Sequence, residues 1–600
     1  MKKTDSKIDF KDIGEFPSSA ISSFDMRWNR TGSWRYLRPI YVNRTPPCNN
    51  GCPSNEDIEG WIRLVSEGRY GEALGLIRIE NPFPSICGRV CFHPCERGCN
   101  RKNSGGAVSI NALERFVADV NGIPRPPEPF FGRNGVRAAV VGSGPAGMSC
   151  AFHLARLGFS VTIFEKRSYT GGVLRYGIPS HRLPKKIIDG EFDCLRDMGV
   201  EIVTGSDAAI NDLKKDFFRV FVAIGAGESK RLGVEGDDSE GVISGLEFLE
   251  SVYKGSVGEN PGRVVVVGGG NTAVDAARTA VRLGAESVKI LYRRSRVEMP
   301  AFEEEVREAE EEGVELHILA APSGVVVEEG ARKWLRCVRM ELGEPDSSGR
   351  RKPVPVKDSE FTLECDLIIS AIGEDVMRGD LPEEILFEKG SVRTGFDMRT
   401  SDPAIFSGGD MIDLPRTVVD AFASGKRAAI AIDCDRRGIS FAEIGDRIKG
   451  SRNENVSMSK YVSYLGGRAN HRATGLAADI QDIAGIERMN LNYFDERQRN
   501  PRGHVPLDKR LGRRNKDDRF VEVVLPLPEK TALKEAERCF HCGRCTECDN
   551  CFIFCPDVSI APAQGGYGID YGFCKGCGLC VKECPRGAMM MIEEPSEEDL

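Results

Sequence analysis

Residues 137–147 read Arg137-Ala-Ala-Val-Val-Gly142-Ser-Gly144-Pro-Ala-Gly147, a short apolar run that enters a G-x-G-x-x-G turn. The next residues predict a helix over 145–157 and a second strand over 161–164 that ends at Glu165. In such a unit the first glycine makes the tight turn, the second lets the backbone approach a pyrophosphate, and the third lets helix and strand pack closely. The helix N-terminus faces the phosphate, and the acidic residue accepts a ribose hydroxyl. Because strand, helix and acidic residue agree, the stretch predicts a dinucleotide site in a doubly wound α/β domain.

A distant segment completes this dinucleotide site. Ile405-Phe-Ser-Gly408-Gly409-Asp410 is followed by Thr417-Val-Val-Asp-Ala-Phe-Ala-Ser-Gly425, so an aspartate ends a strand ahead of a helix. That placement suits the ribityl chain and flavin end of FAD. The residues predicted to hold FAD are Gly142, Gly144, Pro145, Ala146, Gly147, Glu165, Lys166, Gly172, Val173, Leu174, Gly409, Asp410, Thr417, Val418 and Ala421.

A second fingerprint, Arg263-Val-Val-Val-Val-Gly268-Gly-Gly270-Asn271-Thr272-Ala273, has alanine in place of the third glycine, which the motif permits. The strand after it ends in Arg293 and Arg294 rather than in Asp or Glu. An acidic residue there binds the 2′-hydroxyl of NAD, whereas arginine can hold a 2′-phosphate, so the sequence favours NADPH over NADH. The alternative is that the two arginines do not bind a 2′-phosphate. They would then be exposed to solvent or would pair with the acidic helix over 303–312. A nicotinamide domain inside a FAD domain is typical of enzymes that pass hydride to flavin, with cofactors supplying the reactivity.

Two four-cysteine runs close the chain: Cys545-x2-Cys548-x2-Cys551-x3-Cys555-Pro and Cys574-x2-Cys577-x2-Cys580-x3-Cys584-Pro. This is the bacterial two-cluster ferredoxin pattern, in which the fourth cysteine of each run ligates the other 4Fe–4S cluster. The spacing therefore predicts one cluster on Cys545, Cys548, Cys551 and Cys584, and another on Cys574, Cys577, Cys580 and Cys555. Zinc is the competing interpretation of C-x2-C pairs, and two complete runs ending in Cys-Pro disfavour it.

Six further cysteines lie between Cys48 and Cys99, including Cys48-x3-Cys52-Pro and Cys87-Gly-Arg-Val-Cys91-x3-Cys95-x3-Cys99. With Gly171-Gly-Val-Leu-Arg-Tyr-Gly-Ile-Pro179 and Glu298-Met-Pro-Ala301, these motifs make the chain resemble the small subunit of glutamate synthase over residues 46–435. Relatives of that family include dihydropyrimidine dehydrogenase and the large subunit of the NADH-dependent ferredoxin:NADP oxidoreductase. The resemblance implies an all-α domain that holds two clusters ahead of the dinucleotide domains.

Carried over by motif, one cluster of that family is implied on Cys52, Cys91, Cys95 and Glu114, with Cys87 either a non-ligand or the replacement for Glu114. The other family cluster needs an Ala-x-Arg-Cys-x2-Cys pair upstream of Cys48, and this chain has none there. The same form occurs at Ala536-Glu-Arg-Cys539-Phe-His-Cys542, directly before the ferredoxin runs. We hypothesise that Cys539 and Cys542 share a cluster with Cys48 and Cys99. The alternative is that this cluster is lost, so three to four clusters are expected per chain.

Composition limits the remaining possibilities. The chain has 600 residues, too many for one hydrophobic core, and a formal charge of −8 from 82 Lys and Arg against 90 Asp and Glu, which does not suggest a nucleic-acid partner. The twenty-one cysteines are clustered at both ends, which indicates metal binding rather than disulfides. The seven histidines show no metal spacing, and the basic run 509–516 is interpreted as a solvated or partner-docking segment. The N-terminus lacks a signal-peptide pattern and no apolar run is long enough to span a membrane, so a cytoplasmic protein is expected.

The sequence thus predicts a multidomain α/β protein with an all-α iron–sulfur domain, two interleaved Rossmann-type domains and a bacterial-type ferredoxin domain. The expected segments are an N-terminal arm at 1–45, the cluster domain at 46–125, the FAD domain at 136–245 and 371–435, the NAD(P) domain at 246–370, a connecting arm at 436–535, the ferredoxin domain at 536–592 and an acidic tail at 593–600.

We expect an NAD(P)H:acceptor oxidoreductase that exchanges electrons with a redox protein partner in either direction, without a catalytic acid–base residue. The fused ferredoxin is similar to the flavoprotein that accompanies dissimilatory sulfite reductase, which is the favoured partner. It is also similar to subunits of 2-oxoacid and aldehyde oxidoreductases. Other possibilities stay open. The partner could be a free ferredoxin, and the chain could be a homodimer. Its function could also be that of the electron-input subunit of a glutamate synthase complex or that of a non-enzymatic redox sensor.

Overall fold

The computed structural model describes residues 30–327, 333–346, 349–451, 455–467, 479–512, 516–563 and 566–595. The chain forms two compact units. The larger unit spans Cys48–Leu476 and Arg497–Cys539, and the smaller one comprises Met1–Pro47, Ala477–Glu496 and Phe540–Leu600. Among the described residues, no helix has the length and apolar character needed to cross a bilayer.

A five-stranded parallel sheet in the larger unit carries the first fingerprint on its middle strand. In spatial order the strands are Ile405–Ser407, Arg219–Val222, Arg137–Val141, Ser160–Glu165 and Glu201–Thr204. Except in the edge strand Glu201–Thr204, their central residues include buried Ala, Val, Ile and Phe, as expected for a parallel sheet covered on both faces. The helices of this domain are Pro145–Arg156, Val173–Tyr176, Lys185–Asp197, Ile210–Asp216 and Val418–Arg437. The first and last of these helices pack against each other along their lengths.

A second five-stranded parallel sheet carries the other fingerprint, again on its middle strand. Its spatial order is Glu315–Ile318, Ser287–Tyr292, Arg263–Val267, Leu367–Ser370 and Val242–Ser244. Its helices are Gly245–Tyr253, Asn271–Arg282 and Glu303–Glu311. In sequence, an antiparallel sheet is inserted between strands Glu315–Ile318 and Leu367–Ser370. Its strands are Ala320–Val327, Lys333–Pro345 and Arg351–Cys365. The two interleaved Rossmann-type domains are therefore present as predicted.

The cysteine-rich segment ahead of these sheets is helical. Its helices are Pro47–Gly51, Ile58–Ser66, Tyr70–Glu80, Pro84–Val90, Pro94–Arg97 and Ile110–Val120. Helices Ile58–Ser66 and Ile110–Val120 are amphipathic and bury their apolar faces in one cluster. This cluster includes Trp61, Ile62, Leu113 and Val117. The predicted multidomain α/β class with an all-α cluster domain is confirmed.

The segment 436–535, which the sequence analysis assigns to a connecting arm, contributes to both neighbouring cores. Helices Phe441–Ile448 and Met458–Tyr464 bury Ile444, Ile448 and Tyr461 in the core of the FAD domain. Helix Glu529–Ala536 buries Ala532 and Ala536 in the cluster-domain core instead. Short helical turns, Leu507–Arg510 and Lys516–Phe520, lie between them. Each segment supplies only two or three apolar residues, which explains why its periodicity is weak in the sequence.

The smaller unit contains the two four-cysteine runs on short elements. These are helices Asn550–Ile553 and Leu579–Lys582, a hairpin of Ile560–Ala563 with Gly566–Ile569, and strand Met589–Glu593. Strand Leu37–Tyr41 pairs antiparallel with Met589–Glu593, and Arg44–Thr45 pairs parallel with Asp479–Ile483. Residues 37–41, expected in an irregular arm, therefore pair with the last strand of the ferredoxin segment, and Arg44–Thr45 forms a separate two-stranded sheet with Asp479–Ile483. The predicted basic run 509–516 and acidic tail 593–600 lie partly outside the described residues.

Candidate cofactor sites

The turn after Arg137–Val141 has the geometry that a pyrophosphate site needs. Gly142 has φ +97°, and a Cβ there would lie 2.4 Å from the carbonyl oxygen of Ala223. A Cβ on Gly147 would lie 2.0 Å from the carbonyl oxygen of Gly142, so helix and strand approach as closely as the motif requires. A Cβ on Gly144 would have no heavy atom within 4 Å, so open space adjoins the second glycine. These three glycines fit the FAD pyrophosphate.

Glu165 stabilises this turn from the end of the next strand. Its Oε2 accepts hydrogen bonds from the backbone N–H (2.9 Å) and the hydroxyl of Ser143, and its Oε1 accepts one from the N–H of Arg167 (2.9 Å). A carboxylate has about four acceptor positions, so capacity for a ribose hydroxyl remains. The neighbouring Lys166 is exposed and pairs with Asp207 at 3.1 Å.

The second predicted FAD segment meets the first one directly. A Cβ on Gly425 would lie 2.2 Å from the carbonyl oxygen of Ala146, and one on Gly409 would lie 3.0 Å from the Cβ of Ala146. Thr417 caps helix Val418–Arg437 by accepting a hydrogen bond from the N–H of Asp420 (3.2 Å). Two segments more than 250 residues apart in sequence thereby form one cradle, as FAD binding requires.

Two further predicted FAD residues belong to the same cradle. Burial raises the pKa of Asp410, the aspartate that follows Gly409. A Cβ on Gly172 would lie 2.9 Å from the Cα of Gly144, so the backbone ahead of Val173 and Leu174 also reaches the turn.

The second fingerprint repeats this geometry. Gly268 has φ +145°, and a Cβ there would lie 2.2 Å from the carbonyl oxygen of Ala371, whereas a Cβ on Gly270 would have no heavy atom within 4 Å. Asn271 starts the helix, and its Oδ1 accepts a hydrogen bond from the N–H of Phe302 (3.2 Å). Thr272 and Ala273 lie in the first turn, with Ala273 fully buried. The turn fits a second dinucleotide.

The two arginines that end strand Ser287–Tyr292 differ in their surroundings. Arg294 is buried, donates to the carbonyl oxygen of Arg351 (2.8 Å) and lies 2.5 Å from Asp346. Arg293 is exposed. The acidic helix instead binds Arg296, which lies 3.1 Å from Glu303 and 2.8 Å from Glu310. Arg293 is consequently the more available of the two predicted residues for a 2′-phosphate.

Glu114 and four N-terminal cysteines line a single cavity. The lining includes Cys52, Cys91, Cys95 and Glu114, the set implied by the family resemblance, and also Cys87. Burial raises the pKa of each of these thiols, so deprotonation requires a positive partner such as iron. Four thiols and a carboxylate around one cavity suit a 4Fe–4S cluster with one surplus ligand.

A buried polar network behind Glu114 escaped the sequence analysis. The amide of Asn81 donates to Glu114 Oε1 (2.7 Å) and to Glu56 Oε1 (3.0 Å), and the indole N–H of Trp61 donates to Glu56 Oε2 (3.1 Å). Burial raises the pKa of Glu56 to about 7, and burial followed by the Glu56 charge raises that of Glu114. The sequence feature that marks this network is the Asn-Pro-Phe-Pro motif at 81–84. Its asparagine is fully buried in the structure.

The remaining two N-terminal cysteines share an apolar core with Cys539. Cys48, Cys99 and Cys539 all pack against the apolar core of the cluster domain. Cys539 follows helix Glu529–Ala536, which is tied down where Glu535 accepts hydrogen bonds from the N–H groups of Ser109 (2.8 Å) and Asn500 (3.0 Å). Cys542 belongs to the smaller unit. Three of the four thiols in the shared-cluster hypothesis thus lie in one region of the larger unit.

In the smaller unit, Cys545, Cys548, Cys551 and Cys584 line one cavity, the exchanged set that the ferredoxin pattern predicts. The charges of Cys574, Cys577 and Cys555 act on Cys580, which places the second set together. Tyr41, which the sequence analysis did not select, lines the first cavity. Among the described residues, no group of three or more His, Cys, Asp or Glu side chains is arranged to hold a metal ion. Two sets of cysteines instead line cavities, one in each compact unit.

Three family models match the chain in the order of its domains. Residues 40–123 match dihydropyrimidine dehydrogenase domain II with a 4Fe–4S cluster, 136–425 match pyridine nucleotide-disulphide oxidoreductase, and 567–590 match a 4Fe–4S binding domain.

Full-length relatives agree with these matches. The beta subunit of NADP(+)-dependent formate dehydrogenase from Moorella thermoacetica is 40% identical, over 74% of this chain and 68% of the relative. The beta subunit of NADPH-Fe(3+) oxidoreductase from Geobacter sulfurreducens is 36% identical, over 84% and 77%. The small chain of NADPH glutamate synthase from Escherichia coli is 36% identical, over 64% and 88%.

Fold, sites and comparisons together define an NAD(P)H-dependent oxidoreductase that binds FAD, NAD(P)H and 4Fe–4S clusters. The chain belongs to the family of glutamate synthase small-subunit-like iron–sulfur flavoproteins and carries a C-terminal 4Fe–4S ferredoxin motif. The predicted family, enzyme class and cofactors are confirmed.

Proposed function

We propose that this protein is an electron-transfer module that links NADPH to the redox centre of a partner subunit. In this scheme FAD supplies the conversion of a two-electron hydride into single electrons, and the clusters supply one-electron carriers. The direction of flow depends on the potential of the partner.

Val419 is the single observation that supports this route best. It lies in the first turn of helix Val418–Arg437, between Thr417 and Ala421, which we assign to the flavin end of FAD. The same Val419 lines the cavity that holds Cys52, Cys91 and Glu114. One helical turn therefore separates the proposed flavin site from the proposed cluster site, within a single compact unit.

The residues of the dinucleotide turns bind and orient rather than exchange protons. Gly144 and Gly270 leave space for the two pyrophosphates, and the helix N-termini behind them attract phosphate charge. Asn271 fixes the loop at Phe302, beside the second turn. This division of labour fits hydride transfer, which asks for positioning more than for acid–base catalysis.

The partner is a catalytic redox subunit. The relatives from Moorella and Escherichia are named as a beta subunit and a small chain, which supports a multisubunit assembly. The formate dehydrogenase name offers one candidate partner class, and the fused ferredoxin supports dissimilatory sulfite reductase as another. None of the three relatives described above is named for sulfite chemistry, so the sulfite reductase partner rests on the sequence resemblance.

An anaerobic reduction experiment tests the electron route. Addition of NADPH should bleach the flavin and then produce the electron paramagnetic resonance signal of reduced 4Fe–4S clusters. A Cys91→Ser variant should retain flavin reduction by NADPH and lose most of the cluster signal. Flavin that is reduced while wild-type clusters stay oxidised would sink the proposed route, and a chain inert to NADPH would indicate a redox sensor.

Purification of the tagged chain from native extract, without oxygen, identifies the partner. A co-purifying sulfite reductase, formate dehydrogenase or other oxidoreductase subunit that is reduced through this chain supports the module. A large amidotransferase subunit would instead establish electron input to glutamate synthase.

A further inference from the structure

Two stretches of the larger unit, residues 499–512 and 519–524, connect the cluster domain with the NAD(P) domain, and we call them the brace. They follow the Rossmann-type domains in sequence and belong to neither fingerprint. Their contacts with other domains include ion pairs, hydrogen bonds and the packing of Phe520 against the apolar core of the NAD(P) domain. The proposal below rests on NADPH reducing the flavin.

At the NAD(P) domain, the brace holds the C-terminal end of acidic helix Glu303–Glu311. The buried Arg510 lies 3.0 Å from Glu311 and 3.5 Å from Glu312. Glu312 has no exposed side-chain surface and also binds Arg278 and Arg282, the latter at 2.6 Å. Arg510 thereby joins a buried network in which Glu312 already pairs with two arginines of helix Asn271–Arg282.

Two more brace residues bind the same domain. His504 Nε2 lies 2.8 Å from Glu308 Oε1, in the middle of the acidic helix. Arg519 lies 2.6 Å from Glu259 and donates to the carbonyl oxygen of Arg282 (3.2 Å). The NAD(P) domain is therefore held at three separate points.

At the cluster domain, Glu522 is the anchor. It accepts a hydrogen bond from Nε of Arg89 (2.8 Å) and lies 3.0 Å from Nη2 of Arg115, which also donates to the carbonyl oxygen of Val524 (2.8 Å). Arg89 lies on helix Pro84–Val90, which carries Cys87. The brace thus ends on the walls of the N-terminal cluster site.

The far end of the acidic helix is also fixed, by direct contact between the domains. The ring of Phe302, just before the helix, stacks on Phe92 of the cluster domain with centroids 5.8 Å apart and planes 4° apart. The N–H of Phe302 donates to Asn271 in the nicotinamide turn. Both ends of helix Glu303–Glu311 are therefore connected to the cluster domain, one through the brace and the other through Phe302. The N-terminal end also contacts the nicotinamide turn.

We propose that the brace fixes the NAD(P) domain in the orientation for hydride transfer, and that Arg510 and Glu522 are positioning residues for that step. Domains joined by linkers move relative to one another unless a strong interface prevents it. Hydride transfer needs the reacting atoms about 3–3.5 Å apart, and a displacement of about 1 Å costs on the order of a hundredfold in rate. The FAD and NAD(P) domains also touch directly, through Arg182, which lies 2.7 Å from Asp275 and 3.0 Å from Glu305. The brace adds anchors that tie the NAD(P) domain to the cluster domain as well.

The test compares Arg510→Gln and Glu522→Gln with Lys509→Gln, a matched change of an exposed neighbour. Stopped-flow reduction of the flavin by saturating NADPH should slow by about ten- to a hundredfold in the first two variants and stay unchanged in the third. FAD content and the Kd for NADP⁺ should remain those of the wild type. Hydrogen–deuterium exchange of helix Glu303–Glu311 should accelerate in the same two variants.

Wild-type flavin reduction rates in both brace variants, or unaltered exchange of the acidic helix, would overturn the proposal. If Arg510→Gln does not fold, Glu522→Gln decides the question at the other anchor, where the side chain is 19% exposed. Failure of the wild-type protein to react with NADPH would count against the proposed function. The exchange measurement would still decide whether the brace holds the domain.

Discussion

The hydroxyl of Tyr41 lies 3.2 Å from the Sγ of Cys551, although 510 positions separate the two residues in the chain. Strand pairing places them together, because Tyr41 lies opposite Met589 at the end of the sheet formed by Leu37–Tyr41 and Met589–Glu593. Once Cys551 is a thiolate ligand, the tyrosine hydroxyl is the donor and the sulfur the acceptor. From this contact we predict that Tyr41 tunes the cluster held by Cys551.

Replacement of Tyr41 by phenylalanine should lower the midpoint potential of the cluster on Cys545, Cys548, Cys551 and Cys584. A hydrogen bond to a ligating sulfur favours the reduced, more negative cluster, so its loss favours the oxidised one. A net hydrogen-bond worth of about 0.5–1.5 kcal/mol corresponds to roughly 20–60 mV for a one-electron couple. A redox titration followed by electron paramagnetic resonance measures it, and Tyr36→Phe, at a tyrosine 89% exposed, is the control. An unchanged potential would show that the hydroxyl does not bond to the ligated sulfur.

The four cysteines predicted to ligate this cluster could be grouped from the sequence, whereas Tyr41 could not. The cysteine spacing is local and repeats twice, and the exchange of the fourth ligand follows from a known pattern. A five-residue strand such as Leu37–Tyr41 has no distinctive periodicity, and its partner lies more than 500 residues away. Long-range strand pairing depends on tertiary contacts, which single-sequence patterns do not encode.

Iron content tests the shared-cluster hypothesis. The anaerobically purified protein should contain about sixteen iron atoms, from four clusters of four irons. Cys539→Ser should reduce this number to about twelve, because Cys539 packs in the same core as Cys48 and Cys99. Colorimetric iron analysis per FAD measures the difference.

A matched control for that experiment is Cys194→Ser, another cysteine in the larger unit, which lies 3.4 Å from Arg78 and away from the cluster cavity. It should retain all the iron. About twelve irons in the wild-type protein would mean that the fourth cluster is absent, and eight would refute the N-terminal cluster assignment.

The His504–Glu308 pair predicts a pH dependence of stability near neutrality. The hydrogen bond to Glu308 raises the pKa of His504 above its ordinary 6.5, against burial and the charge of Arg510 and with help from Glu304. Because the folded-state pKa of His504 is raised, its pairing with Glu308 contributes its full stabilisation below about pH 6.5. This contribution is lost as the pH rises through the folded-state pKa. The melting temperature, followed by release of flavin fluorescence, should therefore fall between pH 6 and pH 8.5 more in the wild type than in His504→Gln. Parallel curves for the two proteins would contradict this assignment.

The dinucleotide turns were predictable in detail, whereas the surroundings of their arginines were not. Each turn is a local device in which glycine spacing dictates backbone geometry, and Gly142 and Gly268 both adopt the positive φ that the motif requires. Arg294 pairs with Asp346, which lies 52 residues onward, directly after strand Lys333–Pro345 of the inserted antiparallel sheet. From the sequence we considered a 2′-phosphate, solvent and the acidic helix as surroundings for these arginines. None of these includes Asp346.

Nicotinamide preference should depend on Arg293. A charge-assisted guanidinium–phosphate contact contributes roughly 1.5–3 kcal/mol, and about 1.4 kcal/mol is tenfold in affinity. Arg293→Ala should therefore raise KM for NADPH by about tenfold or more and leave NADH kinetics nearly unchanged. Arg294→Ala should shrink the preference too, by a smaller factor, because its guanidinium is engaged by Asp346. Arg296→Ala, which removes pairs with the acidic helix, is the control, and a wild-type preference for NADH would refute the assignment.

The last prediction separates cofactor loss from misfolding at two glycines of one turn. Gly144→Val should fold and lack FAD, because its backbone has φ −67° and ψ −177°, which any residue adopts, and its Cβ would meet no protein atom within 4 Å. The added side chain would instead occupy the space assigned to the pyrophosphate. Gly147→Ala should destabilise the domain itself, since its Cβ would lie 2.0 Å from the carbonyl oxygen of Gly142. Flavin absorbance per chain and circular dichroism distinguish the two outcomes, and a Gly144→Val protein that retains its flavin would show that the pyrophosphate lies elsewhere.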